Sequence, residues 1–189
     1  MMNNKGTLIL FSGPSGVGKD TVLEVVLDKN KELQKSISLT TRERRENEID
    51  GKDYYFISNS DFEDMINNNE VLEFTKYGKN FYGTPKAPID KWLSEGKTII
   101  LKIEVQGAQK IKELYDDAVG IFVMPPSIEE LEKRLRFRGT ESEDDIQRRL
   151  DIAKTEMERS VDYDYLVVND EIDAASDNVL EIIKALKNI

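Results

Sequence analysis

The stretch Gly13-Pro14-Ser15-Gly16-Val17-Gly18-Lys19 follows directly on the apolar run Thr7-Leu8-Ile9-Leu10-Phe11-Ser12, and it restricts the chain more than any other segment. A β-branched and aromatic run predicts a buried strand, and glycines ahead of a helical pattern predict strand, loop and helix in succession. Successive backbone N–H groups in such a loop form a nest for phosphate oxygens, and the helix N-terminus adds partial positive charge. Glycine keeps a Cβ out of the path by which the backbone approaches the phosphates. Lys19 then supplies a point charge that follows the β- and γ-phosphates. An ordinary Gly-rich turn is the plain alternative, but it rarely sets these glycines, a lysine and a preceding strand in register. The pattern departs in one place. Where Ser or Thr would serve Mg²⁺, this chain has Asp20, with Thr21 next. Asp20 is therefore the metal candidate, acting through water, and the open alternatives are mild repulsion of the triphosphate or a helix cap.

A length of 189 residues suits one domain with a substantial core. No apolar run approaches the roughly 18–20 residues that span a bilayer. Met1 to Gly6 carries no signal-like apolar region, so no membrane partner is expected and the cytoplasm is the expected compartment. The chain contains no Cys and no His. Disulfides, thiolate nucleophiles, His-based triads and His-ligated metals are thereby excluded. A net charge of −10 argues against a general nucleic-acid partner, which needs basic surface to displace counterions. Every Arg lies in one of two segments: Arg42, Arg44 and Arg45, then Arg134, Arg136, Arg138, Arg148, Arg149 and Arg159. Such confinement in an acidic chain points some of these guanidinium groups at phosphates. For Arg136, Arg148 and Arg159, decoration of helix faces is the preferred reading.

Apolar periodicity alternates along the chain. Helices are predicted to about Lys29, from Ser60 with a Ser60–Glu63 capping box, from Pro85 to Gly96, from Gln106 to Tyr115, from Ser127, from Ser142, and at the C-terminal end. Strands are predicted at Thr7, at Ser36 to Leu39, at Thr98 to Ile103, at Val119 to Met124 and at Tyr165 to Val168, which implies a parallel sheet covered on both faces. Tyr54 to Phe56 and a hairpin over Val71 to Gly83 interrupt that rhythm and predict a small inserted subdomain over the cleft.

Four segments together resemble guanylate kinase, a P-loop nucleoside monophosphate kinase family. They are the phosphate loop; Ser38-Leu39-Thr40-Thr41-Arg42 through Arg45 and Glu48 to Tyr54; Ile103-Glu104-Val105-Gln106-Gly107-Ala108; and Arg134 through Arg138-Gly139 to Arg149. The resemblance runs nearly end to end. It implies an α/β, three-layer P-loop kinase fold with a parallel sheet, an inserted mixed β/α acceptor-nucleotide subdomain and a helical lid. The whole of 1–189 is then one domain, with a core of about 1–35, 96–133 and 160–189, a GMP-binding subdomain of about 36–95 and a lid of about 134–159.

Residue roles follow from the resemblance where positions match. Gly13, Pro14, Ser15, Gly16, Val17, Gly18, Lys19, Asp20 and Thr21 would hold ATP. Arg134, Arg138 and Arg149 would close over its phosphates, and Arg134 and Arg138, four apart, project from one helix face. Asn169 matches a position near the adenine. Arg42 and Arg45 are placed to chelate the acceptor phosphate, with Glu48 beside them and Tyr54 and Tyr82 as O–H donors. Both tyrosines read equally well as half-buried strand packing. Glu73, flanked by apolar neighbours, accepts from guanine N1–H and the N2 amine together, completed by Ser38 and Thr84. Alone it reads as a solvated strand-face carboxylate. Glu104, at a strand's C-terminal end, stands near the acceptor and the magnesium water shell. Lys102 falls on the same face, where the family pattern shows an acid, and is expected to pair with Glu104 or Asp20. Arg44 receives no role.

The resemblance thus implies transfer of a phosphoryl group from ATP to GMP, and to dGMP, with Mg²⁺. Lys19, Arg42, Arg134, Arg138 and Arg149 would carry the catalysis. The partners are small nucleotides, and monomer or homo-oligomer stays undecided. Two other readings stand beside it: a same-fold kinase acting on a sugar phosphate, and a catalytically silent module binding phosphopeptides through Arg42 and Arg45.

Overall fold

A computed structural model describes residues 6–137 and 142–187. In chain order the elements begin with β1 (Thr7–Ser12), α1 (Lys19–Lys29), β2 (Gln34–Lys35), β3 (Leu39–Thr40) and β4 (Tyr55–Phe56). Next come α2 (Asn59–Asn67), β5 (Val71–Tyr77), β6 (Asn80–Pro85), α3 (Lys86–Ser94) and β7 (Thr98–Lys102). The chain continues through α4 (Val105–Leu114), β8 (Val119–Met124), α5 (Ile128–Phe137) and α6 (Glu143–Glu158). A 3-10 turn (Arg159–Asp162) then leads to β9 (Tyr165–Val168) and α7 (Ile172–Lys187).

The apolar runs that read as buried strands form one parallel sheet in the order β2-β7-β1-β8-β9. Both faces are covered, as such runs require. Ile9, Phe11 and Ile100 face α1 and α7, meeting Val22, Val26, Val179 and Ile183. Leu8, Leu10, Ile99 and Leu101 face the other way onto Ile89 and Leu93 of α3 and Ala108 and Ile111 of α4. The period-two alternation of β1 and β7 thus feeds two separate hydrophobic clusters. The architecture is α/β with a central parallel sheet between helical layers.

A second, four-stranded sheet in the order β4-β3-β6-β5 is mixed: β3 and β4 run parallel, while β6 runs antiparallel to both β3 and β5. It occupies the segment where the sequence rhythm breaks. Two helices with a cluster of their own, Leu131 and Leu135 of α5 against Ile146, Leu150 and Ala153 of α6, complete the molecule.

Two expectations are corrected. The strand predicted over Ser36 to Leu39 is two strands serving different sheets. Gln34 and Lys35 pair with β7, and the Ser36 N–H makes a last contact to the Ile100 carbonyl at 3.1 Å. Leu39 and Thr40 then pair with Gly83 and Tyr82. Alternation along one run cannot show where its hydrogen bonds change partners. The second correction concerns α2, whose N-cap is Ser58, two residues earlier than predicted. Ser58 Oγ accepts from the Asp61 N–H at 3.1 Å, and Asp61 returns the contact as N3. The sequence holds this pattern in two registers, and the earlier one puts Phe62, fully buried, in the first turn facing the second sheet.

Among the described residues, no helix is long and apolar enough to cross a membrane.

Candidate active site

The loop between β1 and α1 is built on positive backbone angles. Gly13 has φ +148°, and a Cβ there would lie 2.3 Å from the Val123 carbonyl oxygen on β8. Gly18, the N-cap of α1, has φ +93°, and its Cβ would lie 2.7 Å from Asn169 Nδ2. Only glycine meets both demands, left-handed geometry and close approach. Val17 between them is fully buried and anchors the loop in the core.

Lys19 opens α1 and folds back over the loop, donating to the Gly13 and Pro14 carbonyls at 2.5 and 2.9 Å. Burial pulls its ammonium below the ordinary lysine range, opposed by the charges of Glu156, Asp20 and Glu104. Glu156, from α6, faces it. Burial raises the Glu156 carboxyl, against the charge of Lys19 and the Ser15 N–H. Its Oε2 is buried and finds no hydrogen-bond donor among the described residues.

Asn169, just past β9 and 2% exposed, donates its side-chain amide to the Val17 carbonyl at 2.8 Å. Its own carbonyl accepts from Arg134 Nη1 at 2.8 Å, and Arg134 Nη2 reaches the Asp170 carbonyl at 3.4 Å. Arg134 of α5 is therefore tied through Asn169 to the phosphate loop. Arg149 sits half-buried on α6. Arg138 lies outside the described residues.

Across the cleft, Thr84 of β6 donates to Glu73 Oε1 of β5 at 2.6 Å. Burial raises the Glu73 carboxyl above the usual range, and the Thr84 hydroxyl lowers it in part. A Cβ on Gly107 would sit 2.9 Å from Glu73 Oε2, so glycine there lets α4 close against the carboxylate. The Tyr77 hydroxyl donates to Glu104 Oε2, joining β5 to the start of α4. Burial and that carboxylate raise the Tyr77 phenol.

One cavity of about 480 Å³ runs between these groups. The loop supplies Gly13, Ser15, Gly16, Gly18 and Lys19, with Asp20 and Thr21 beyond it. The second sheet supplies Tyr54, Glu73, Tyr82 and Thr84, with Ser38 and Glu104 from flanking positions. Tyr77, Lys102, Gly107 and Glu156 also reach the cavity. Pro14, Val17, Asn169, Arg134 and Arg149 do not line it.

Arg42, Arg45 and Glu48 also stand off the cavity wall. The Arg42 guanidinium lies 5.2 Å from the Tyr54 ring centroid and 5.6 Å from that of Phe56. Its two terminal nitrogens donate to the two Glu48 oxygens at 2.7 and 2.6 Å. Glu48 Oε2 also accepts the Arg45 N–H at 2.9 Å, and the Arg45 side chain is exposed. Arg44, without a role in the sequence, donates to the Glu48 carbonyl at 2.7 Å and helps close this turn. Arg136 and Arg148 make ion pairs on helix surfaces, to Glu132 and Glu143 and to Asp145 respectively.

Lys102, at the end of β7, pairs with Asp20 rather than Glu104. Burial pushes the Asp20 carboxyl up, but the Lys102 charge and hydrogen bond outweigh it and leave the group below its ordinary value. Among the described residues no group of three or more acidic side chains gathers to cage a metal. One carboxylate beside a phosphate loop fits Mg²⁺, which keeps several waters and takes one or two carboxylates plus substrate phosphates.

The sequence missed Glu156 and Tyr77 as site residues. A larger cavity, about 530 Å³, lies on the far side of α4 among Gln106, Gln109, Lys112, Thr155 and Asp162. It touches no part of the phosphate loop and shares only Glu156 with the cleft.

The guanylate kinase family model matches residues 5–186. The guanylate kinase of Lactococcus lactis subsp. lactis is 47% identical over 184 residues, covering 97% of this chain and 90% of the relative. That of Clostridioides difficile is 44% identical over 188 residues, covering 100% and 92%. The crystal structure of guanylate kinase from Anaplasma phagocytophilum superimposes with a TM-score of 0.78 at 34% identity, covering 98% of this chain and 88% of the other.

Proposed function

The chain belongs to the guanylate kinase family, and from that premise we propose that it transfers the γ-phosphoryl group of ATP to GMP, and to dGMP, with Mg²⁺. One observation carries the reading. The phosphate loop and the Glu73–Thr84 pair open on the same cavity, so a triphosphate on one wall meets a base on the other. A buried acceptor of this kind favours guanine, which offers N1–H and the N2 amine together, over adenine, which offers no such pair.

An oxygen of the acceptor phosphate, already ionised near neutral pH, attacks the γ-phosphorus. The bond to the β,γ-bridging oxygen breaks, and ADP leaves with that electron pair. No general base is required, in keeping with a chain that has no His. Catalysis reduces to positioning and electrostatics. Lys19 turns from the loop carbonyls to the transferring phosphate while the loop N–H groups hold the β-phosphate. Arg42 and Arg45 orient the acceptor phosphate, with Tyr54 and Tyr82 alongside. Arg134 and Arg149, with Arg138, bring positive charge to the γ-phosphate as the lid closes and excludes water. Asp20 would hold Mg²⁺ through water, and the ion when bound would neutralise charge on the β- and γ-phosphates.

The test is a coupled ADP-release assay with MgATP and GMP, dGMP, AMP or UMP. Turnover confined to GMP and dGMP is expected. Equal turnover of AMP, or none with any acceptor in folded protein, would overturn the reading. Lys19→Ala is expected to remove roughly 3 kcal/mol or more of transition-state stabilisation.

A further inference from the structure

We propose that Asp20 and Lys102 form an exchangeable cation pair at the mouth of the phosphate loop: the Lys102 ammonium holds the Asp20 carboxylate until the divalent cation of the incoming nucleotide takes its place, and the released ammonium stays in the cleft beside the phosphates. The inference rests on the phosphoryl-transfer reading above and concerns how this chain handles its metal.

Asp20 is the second residue of α1, next to Lys19, and its side chain is 73% exposed. Its partner comes from a different element, the C-terminal end of β7, where parallel strands deliver residues to the ligand crevice. Both side chains line the cavity that holds the loop. The choice of partner is informative. Glu104 lies two residues beyond Lys102 on the same wall, yet it accepts from Tyr77, while Lys102 reaches across to Asp20.

Charge argues for exchange rather than a fixed strut. Lys19, Lys102 and Lys35 all act electrostatically on Asp20. Two lysines and four carboxylates line the cavity as a whole, so the lysine charge is local to Asp20, and a divalent ion carried on a triphosphate competes with it for that one carboxylate. With the Asp20 carboxylate largely open to solvent the ion pair is a weak one, so a doubly charged ion with phosphate ligands displaces the ammonium. The exchange leaves the pocket with both cations, Mg²⁺ on Asp20 and the ammonium turned toward phosphate oxygen. Of the other carboxylates near the loop, Glu156 faces Lys19 and is half-buried, and Glu104 holds the Tyr77 hydroxyl, so Asp20 is the carboxylate that Lys102 frees when it moves.

The experiment is calorimetric ADP binding across a Mg²⁺ series, which reads the metal concentration at half-effect without turnover. Four proteins are compared: the unaltered chain, Lys102→Gln, Asp20→Ala and the double variant. Lys102→Gln is expected to lower the Mg²⁺ midpoint about fivefold, the ratio equivalent to about 1 kcal/mol. Asp20→Ala is expected to raise the midpoint, and in that background Lys102→Gln no longer lowers it. An unchanged or raised midpoint in Lys102→Gln would overturn the proposal, and so would an equal shift with and without Asp20. Failure of the unaltered protein to bind ADP at any Mg²⁺ concentration would instead overturn the phosphoryl-transfer reading, and the pair with it.

Discussion

Arg42 and Glu48 face each other fork to fork, with both guanidinium nitrogens on both carboxylate oxygens at 2.7 and 2.6 Å. The pair does more than join two charges. It holds the guanidinium over the Tyr54 and Phe56 rings, and the same carboxylate accepts from the Arg45 backbone N–H. On the proposed function, Glu48 sets the direction from which both arginines meet an acceptor phosphate. Glu48→Gln keeps the shape but loses the charge and one acceptor, so the GMP KM should rise roughly tenfold while kcat falls less. Steady-state kinetics over GMP concentration reads the split. An unaltered KM would reduce the pair to surface decoration.

Acid separates Glu48 from Glu73. The Arg42 guanidinium, with the Arg45 N–H, lowers the Glu48 carboxyl to about 2. Its stabilisation is present above the ordinary carboxylate value and is lost only as pH falls through about 2. Glu73 moves the other way, raised by burial. On the proposed function it must be ionised to accept from guanine, and burial makes it take up its proton above the ordinary carboxylate range, where Glu48 still holds its charge. GMP affinity should therefore fall on acidification with an apparent pKa above the ordinary carboxylate range. Glu73→Gln should abolish that dependence and lower kcat/KM for GMP by about 10² or more, with AMP hardly affected. A pH profile of GMP affinity that survives in Glu73→Gln would assign the titration elsewhere.

Asn169 and Gly18 test the loop's mounting. Asn169→Ala removes the amide from the Val17 carbonyl and leaves that buried acceptor unpaired, a cost of about 1–3 kcal/mol. It also loosens the Arg134 contact to the Asn169 backbone. ATP affinity should weaken while GMP affinity stays. Gly18→Ala meets the same amide from the other side, with φ +93° and a Cβ at 2.7 Å from Nδ2. Chemical denaturation with ATP and GMP titrations separates the effects. Equal weakening of both nucleotides would mean general unfolding.

What the sequence made legible is local. The strand, glycines and lysine of the phosphate loop are adjacent in the chain, so their spacing alone fixes their geometry. Lys102 was also legible, because period-two alternation puts it on the wall with Glu104 and leaves only the choice of partner. Glu73 beside Thr84 was legible only through the resemblance, because the hairpin signal ends at Gly83 and the strand register shifts between Val71 and Phe74. Glu156 was not legible. It sits on α6 among charged neighbours and reaches Lys19 only because α5 and α6 pack as a pair beside the loop, a matter of tertiary placement. Tyr77 was hidden for a related reason, since an aromatic near a hairpin turn gives no sign of the Glu104 carboxylate that the start of α4 brings to its hydroxyl. The Ser36 to Leu39 run misled because one alternating pattern served two sheets.

Glu156 gives the last prediction. Burial raises its carboxyl despite Lys19, so the folded state favours the protonated form. Its contribution to stability is full below the ordinary carboxylate value and is lost as pH rises through the raised one. Above the raised value the folded protein keeps an ionised carboxylate in a site that opposes it, with Oε2 lacking a donor among the described residues. Glu156→Gln removes that penalty, so Tm should rise by roughly 2 °C on the alkaline side of the titration and show no gain below the ordinary carboxylate range. Activity should move the other way. Lys19 is itself held below its ordinary range by burial, and Glu156 is the foremost charge opposing that shift. Without it, the ammonium loses its counter-charge, and kcat should fall several-fold more steeply at alkaline pH. Melting curves and rates across one pH series read both effects. A variant that melts lower at every pH would make Glu156 a structural carboxylate whose contact with the loop outweighs its burial.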